Sequence, residues 1–327
     1  MNIEKLSMEI IKGKKITRDE AVWLYNQPSD KLHRKANEIR KHFCSNSFDI
    51  CAIINSKSGH CSEDCSFCAQ SNHNHTSSKS YPLLSTNKIV AQAKLNNKLG
   101  IRRCSIVTSG KRLSDNEIEK MCEAIQKIRK DIGISVCTSF GLLNENQYKK
   151  LKNAGVTRVH NNLETSYNNF PNVCTTHSFD DKVKSIRAAQ SAGLSVCSGG
   201  IMGLGETPED RIDMALSIRD LGIKSVPINI LNPIPGTPFE NKKTLTIEDI
   251  CRIIAVYRFI LPDAYIRLAG GRSLLSDKGK SCFQSGANAT ISGDMLTTAG
   301  ITFKTDMKLL KELGYKLRNK NEKKSIL

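Results

Sequence analysis

Three of the twelve cysteines in this chain fall in one short stretch, Gly59-His60-Cys61-Ser62-Glu63-Asp64-Cys65-Ser66-Phe67-Cys68-Ala69-Gln70. Their spacing is C-x3-C-x2-C. Three thiolates on one loop can ligate three irons of a cubane [4Fe–4S] cluster, which normally takes four cysteines. The fourth iron then stays open to an exogenous ligand. This is the logic of a catalytic site rather than of an electron carrier, and it parallels the open position of catalytic zinc. The local spacing also admits a zinc knuckle with His60, His73 or His75 as fourth ligand. Three unrelated core cysteines do not suit a polar loop with so little apolar cover.

Positioning such a loop requires a scaffold. Short β-branched runs recur along the chain at Phe48–Asn55, Arg103–Thr108, Ile134–Phe140, Val156–Glu164, Leu194–Met202, Ser225–Leu231, Ala264–Ala269 and Ala289–Asp294. Amphipathic helical patterns lie between them. Ile118, Met121, Ile125 and Ile128 share one face, as do Ile247, Ile250, Ile254 and Tyr257. Gly100, Gly193 and Gly222 read as helix stops. Eight βα units of about 30 residues each predict an α/β fold, a (β/α)8 TIM-type barrel, rather than a doubly wound sheet. Residues 1–45 read as an N-terminal helical extension. Residues 46–327 read as the barrel, ending in a basic tail that is dense from Lys316 to Lys324.

A barrel carries its site at the C-terminal ends of its strands. Several polar groups fall there: His160-Asn161-Asn162-Leu163-Glu164 on the fourth strand, Cys197-Ser198-Gly199-Gly200 on the fifth, Asn229 on the sixth and Arg267 on the seventh. Polar groups inside a barrel are costly without partners, so they point to a site. Cys104 and Cys137 also lie within strand segments. Cys44, Cys122, Cys251 and Cys282 read as packing. Cys51 can face either way on the first strand, and Cys174 is either near the site or a plain loop thiol.

The 49 basic and 32 acidic residues give a net charge of +17. The basic residues are scattered, with no arginine-rich arm and few aromatics, which argues for a solvated Lys-rich surface and against nucleic-acid binding. No apolar run reaches the ~18 residues of a membrane span. The N-terminus shows no apolar signal core, so a cytoplasmic protein is expected, with reduced thiols free for metal.

The three-cysteine loop, with Phe67 in the aromatic position before the last cysteine, resembles the signature of the radical S-adenosylmethionine (SAM) superfamily. That resemblance implies a [4Fe–4S] cluster on Cys61, Cys65 and Cys68, whose open iron chelates SAM. One electron then yields methionine and a 5′-deoxyadenosyl radical. It also implies contacts to SAM from Phe67 and from Gly199, Ile201, Gly203 and Glu206 after the fifth strand. From about residue 35 to residue 320 the chain is further similar to the biotin synthase family. The segments that carry this are Cys61–Gln70, His160–Ser166, Val196–Ile201, Gly203–Thr207, Pro227–Leu231 followed by Gly236-Thr237-Pro238, Ile266–Arg272 and Gly286-Ala287-Asn288. The family resemblance implies an auxiliary iron–sulfur cluster, of the [2Fe–2S] kind, on Cys104, Cys137, Cys197 and Arg267. That cluster would be the sulfur donor in converting dethiobiotin to biotin. Asn162, Glu164 and Asn229 would meet the ureido ring of dethiobiotin. A homodimer is implied by the family.

Two positions depart from the family. Glu164 replaces a common aspartate, which keeps the charge and lengthens the reach. Lys182 stands where some members direct an arginine at the SAM carboxylate, and lysine loses the bidentate fork. An acidic flavodoxin or ferredoxin is the expected electron donor to this basic surface. The rival readings are another radical SAM enzyme of the same branch, such as a hydrogenase-cofactor maturase or methylornithine synthase, a non-catalytic iron–sulfur carrier, and a zinc-binding nucleic-acid module.

Overall fold

The computed structural model describes residues 1–317; residues 318–327, which hold most of the basic tail, lie outside the described residues. The barrel strands are β1 (Ser47–Lys57), β2 (Arg103–Thr108), β3 (Ser135–Ser139), β4 (Val156–His160), β5 (Ser195–Cys197), β6 (Gly200–Met202), β7 (Ser225–Ile230), β8 (Tyr265–Leu268) and β9 (Ala289–Ile291). They pair in parallel in the order β1-β2-β3-β4-β5-β7-β8-β9, with β6 also on β7. Asp49↔Ala289, Ile50↔Thr290 and Cys51↔Ile291 then return β9 to β1 and close the barrel. Because β5 and β6 form one interrupted stave, the barrel has the expected eight.

The interruption has a steric cause. A Cβ on Gly199 would lie 1.9 Å from the Pro227 carbonyl oxygen. The chain there runs against β7 too closely for a regular strand with side chains. Its amide instead donates to Asn162 Oδ1 at 3.2 Å. The stretch expected as a strand to Glu164 stops at His160, and Glu164 adopts the left-handed region at φ 71°.

The outer layer is formed by α4 (Thr86–Lys98), α5 (Asp115–Asp131), α6 (Glu145–Asn153), α7 (Phe179–Ser191), α8 (Pro208–Asp220) and α9 (Ile247–Ile260). Capping boxes open five of these: Ser114/Glu117, Asn144/Gln147, Ser178/Asp181, Thr207/Asp210 and Thr246/Asp249. Each satisfies orphan N–H groups and contributes about 1 kcal/mol. The predicted face of α5 is buried, with Ile118, Ile125 and Ile128 fully enclosed. Gly100, Gly193 and Gly222 do end helices, all at positive φ.

Three helices precede the barrel: α1 (Ile3–Ile11), α2 (Arg18–Tyr25) and α3 (Ser29–Cys44). They join the same apolar core through Leu24, Leu32, Ala36 and Ile39. Arginines of the outer helices fasten them. Arg252 Nη1 donates to the Tyr25 and Gln27 carbonyls, both at 2.7 Å, and Arg219 Nη1 to the Ile16 carbonyl at 2.7 Å. Between β8 and β9 lies α10 (Lys280–Gln284), and after β9 come α11 (Phe303–Glu312) and β10 (Lys316–Leu317). The last of these pairs with the start of β1.

Gly199 supplies a test of this geometry. Gly199→Ala should lower unfolding stability by more than about 3 kcal/mol, since backbone stands where the methyl must go. Gly222→Ala, at positive φ but with nothing within 4 Å of the new Cβ, should cost only about 1 kcal/mol. Urea unfolding of both variants compares them; equal losses would refute the steric account.

Candidate active site

A cavity of about 390 Å3 opens at the C-terminal ends of the strands and reaches down into the barrel. Cys61, Cys65 and Cys68 line its upper part. Their loop leaves β1 through Gly59 at φ 77° and is folded by its own backbone. The Cys61 amide donates to Gln70 O (3.0 Å), the Asn72 amide to Cys61 O (2.8 Å) and the Cys68 amide to Cys65 O (3.0 Å). Asn74 Nδ2 reaches the Cys65 and Cys68 carbonyls at 3.2 and 2.8 Å. None of His60, His73 and His75 lines the cavity, and His73 Nε2 lies 3.1 Å from the Ser62 carbonyl. The zinc-knuckle alternative therefore finds no fourth ligand among those histidines.

The loop is held from outside by the segment after β4. Asp64 Oδ1 accepts the Thr175 and Thr176 amides at 2.9 and 3.2 Å. Glu63 Oε2 meets His177 Nδ1 at 2.6 Å and accepts the Thr176 hydroxyl at 2.9 Å. Burial opposes charge on Asp64, yet donors from Thr175, Cys174 and Thr176 hold its carboxyl far below the usual range. Cys174 belongs to this clamp, with its sulfur 3.1 Å from Asp64 Oδ1 and 3.2 Å from His177 Nδ1. The ligating atoms of Cys65, Cys174 and His177 lie within 4.8 Å of one another. Cys174 thus stands beside the three-cysteine loop.

The cavity floor is polar. In a parallel sheet, registered partners present their side chains to the same face. Ile53↔Ser105, Ser105↔Cys137 and Cys137↔Arg158 define one inward-facing course, and His160↔Cys197 another. Cys51, Arg103 and Arg267 also line the floor. Arg267 Nη2 donates to the Asp49 carboxylate, and its Nη1 to Thr290 O at 2.8 Å. Asp49 is buried, which opposes its charge, but Arg267, Arg103 and Arg158 hold its pKa down at about 2. Cys197 is also buried, yet a hydrogen bond and the charge of His160, with Arg267 and Arg158, lower its pKa to about 6. Burial pushes Cys137 up to about 12. The Ser225 hydroxyl donates to Cys197 Sγ at 3.2 Å.

This floor fits an anionic group. Arg103 Nε is buried without a partner. Arg158 reaches the Ser195 and Ser225 hydroxyls, both at a long 3.4 Å. Three guanidiniums face one carboxylate, and buried charge of one sign calls for its opposite. Thiolate-bound iron and sulfide would supply it. Cys104 is the expected ligand that the structure does not bring here. It registers with Ala52 and Val136 and lies fully buried in the apolar layer outside the sheet.

Between floor and loop, Asn162, Glu164, Asn229, Phe67, Ile201 and Lys182 all line the cavity. Asn162 and Glu164 are two residues apart, so an extended strand would bring them to one side, but β4 has already ended at His160. The left-handed turn at Glu164 brings them together instead, and Asn162 Nδ2 lies 3.3 Å from Glu164 Oε2. Asn229 bridges staves, donating to Gly200 O (3.1 Å) and accepting the Gly270 amide (2.9 Å). Gly199, Gly203 and Glu206 do not line the cavity. Glu206 Oε1 accepts the Gly203 amide and Arg211 Nε, each at 2.8 Å, and so shapes the turn after β6. Sequence reasoning missed Asp49, Arg103 and Arg158. Their signal was charge at inward positions of otherwise apolar strands.

Two family models match the chain: Radical SAM superfamily over residues 55–218, and Biotin and Thiamin Synthesis associated domain over residues 227–316. A solved methylornithine synthase superposes with a TM-score of 0.85 at 20% identity, covering 98% of this chain and 100% of that one. The [FeFe]-hydrogenase maturase of Carboxydothermus hydrogenoformans gives 0.81 at 16% identity, covering 96% and 78%. Barrel, loop and model match together define a radical SAM enzyme. The biotin synthase of Brachyspira hyodysenteriae is 56% identical over 98% of this chain and 97% of its own length. That of Akkermansia muciniphila is 53% identical over 96% and 98%, and that of Clostridium botulinum strain Hall 49% over 97% and 99%. The chain belongs to the biotin synthase family.

The clamp on the three-cysteine loop can be measured. Asp64→Ala removes acceptors for two amides and a thiol, so hydrogen exchange of amides in 61–72 should quicken by about tenfold or more. Glu123→Ala, on the exposed side of α5, should leave it unchanged. Unaltered protection in Asp64→Ala would mean that the loop holds itself.

Proposed function

We propose that the chain inserts sulfur into dethiobiotin to make biotin, with the two thiol sets of the cavity in separate roles. The observation that carries this reading is their placement in one chamber: Cys61, Cys65 and Cys68 on a clamped loop at the mouth, Cys137 and Cys197 on the floor. Once bound, the open-iron cubane with SAM supplies a radical able to take hydrogen from unactivated C–H bonds, and the auxiliary cluster supplies sulfide.

The protein's part is to position and to exclude water. Phe67 and Ile201, packed with Val173, Leu204, Leu231 and Phe239, form an apolar wall for SAM. Lys182 offers a point charge to its carboxylate, without the directionality of a guanidinium. The ureido ring of dethiobiotin has N–H donors and a carbonyl acceptor. Glu164 can accept from the former, and Asn162 and Asn229 can orient the ring at the stave junctions. Their amides already brace backbone, so they are held in place before substrate arrives. Glu206 supports this wall from behind. The wide excess of basic residues suits an acidic flavodoxin or ferredoxin as donor. The family further implies a homodimer acting in the cytoplasm.

The methylornithine synthase and hydrogenase-maturase likenesses are those of fold, and the floor thiols Cys137 and Cys197 support sulfur insertion. Anaerobic turnover of dethiobiotin with SAM and a strong reductant tests it directly. Cys65→Ala should abolish formation of 5′-deoxyadenosine as well as of biotin. Cys197→Ala should abolish biotin while SAM cleavage persists. Biotin formation at the normal rate in Cys197→Ala, or cleavage in Cys65→Ala, would overturn these assignments.

A further inference from the structure

We propose that Cys51, and not Cys104, provides the third thiolate of the auxiliary iron–sulfur site, together with Cys137 and Cys197; this rests on the sulfur-donor reading above. The argument is one of faces. On β2, Ser105 is the residue that shares the inward course with Cys137, by direct register. Cys104 shares its register with Ala52 and Val136. It is fully buried, packed among the apolar side chains between sheet and helices.

A one-residue slip of β2 would turn Cys104 inward, but it would exchange every side chain of the strand. Ile106, fully buried in the outer layer, would enter the polar floor. Arg103, whose guanidinium faces the cavity, would enter the apolar layer. Both moves are unfavourable. The register is therefore well specified, and Cys104 stays behind the sheet.

Cys51 is on the correct side. It lines the cavity, as do Cys137 and Cys197. Two residues earlier on the same strand, Asp49 turns inward to receive Arg267, and period-two alternation sends Cys51 the same way. Cys51 and Cys197 are near enough to interact electrostatically, as are Cys137 and Cys197. Cys104 also feels Cys137 and Cys51, but through the sheet. Arg267, committed to Asp49 and Thr290, balances the charge of the thiolates.

The test is cluster content. Wild type, Cys51→Ala and Cys104→Ala are reconstituted anaerobically, and iron, sulfide and Mössbauer spectra are recorded. Wild type should hold two clusters. Cys51→Ala should lose the auxiliary spectrum and its share of iron while keeping the SAM-binding cluster. Cys104→Ala should keep both. Should Cys51→Ala fail to fold, Cys51→Ser, nearly equal in volume, decides by the same spectra, with loss or alteration of the auxiliary signal expected. An unchanged auxiliary cluster in the Cys51 variant, or its loss from a folded Cys104→Ala, overturns the proposal alone. A wild type with only the first cluster overturns both the proposal and the sulfur-donor reading.

Discussion

The barrel encloses more positive than negative charge, and much of its interior follows from that imbalance. Arg103, Arg158 and Arg267 reach the floor, and Asp49 is the carboxylate that meets them. In a low-dielectric interior such an excess persists only where something anionic is meant to sit. The thiols complete the floor. Cys197 is held toward thiolate by His160 and two guanidiniums, and Ser225 donates to its sulfur. The electrostatics of the floor thus favour an anionic group.

The upper site obeys a different constraint. The loop of cysteines has little apolar cover beyond Phe67 and Cys65, so hydrogen bonds fix the rest of it. The acceptors are the carboxylates Glu63 and Asp64, inside the loop's own sequence, and the donors are in residues 175–177. The intervening Ser-Glu-Asp is therefore more than a spacer between cysteines. Cys174 shares that clamp, so the mouth carries a fourth thiol that is not part of the C-x3-C-x2-C spacing.

Much of this was legible in the sequence. Eight β-branched runs and their helical partners gave the barrel, because period and spacing are local signals. The three-cysteine loop and the wall of Asn162, Glu164, Asn229, Phe67 and Ile201 were legible from short motifs. Three features were not. The break at Gly199 depends on how closely β7 passes, a contact between residues far apart in sequence. Glu164 reaches the cavity through a left-handed turn that alternation does not foresee. The inward face of β2 depends on its register with β1 and β3, so a cysteine inside the right strand can still be on the wrong side of it.

The seam of the barrel joins the beginning of the domain to its end. Residues 49–51 on β1 pair with 289–291 on β9, and Asp49 finds Arg267 across the same junction. Contacts this distant in sequence form late, after shorter loops have closed. During synthesis the chain emerges N-terminus first, so the first strand waits with one edge unpaired until the ribosome has delivered the ninth. Until then the floor has no enclosed interior, and its thiols face solvent. The lower chamber is thereby enclosed only after synthesis has passed residue 291, whereas the cysteine loop at the mouth is complete in sequence by residue 68.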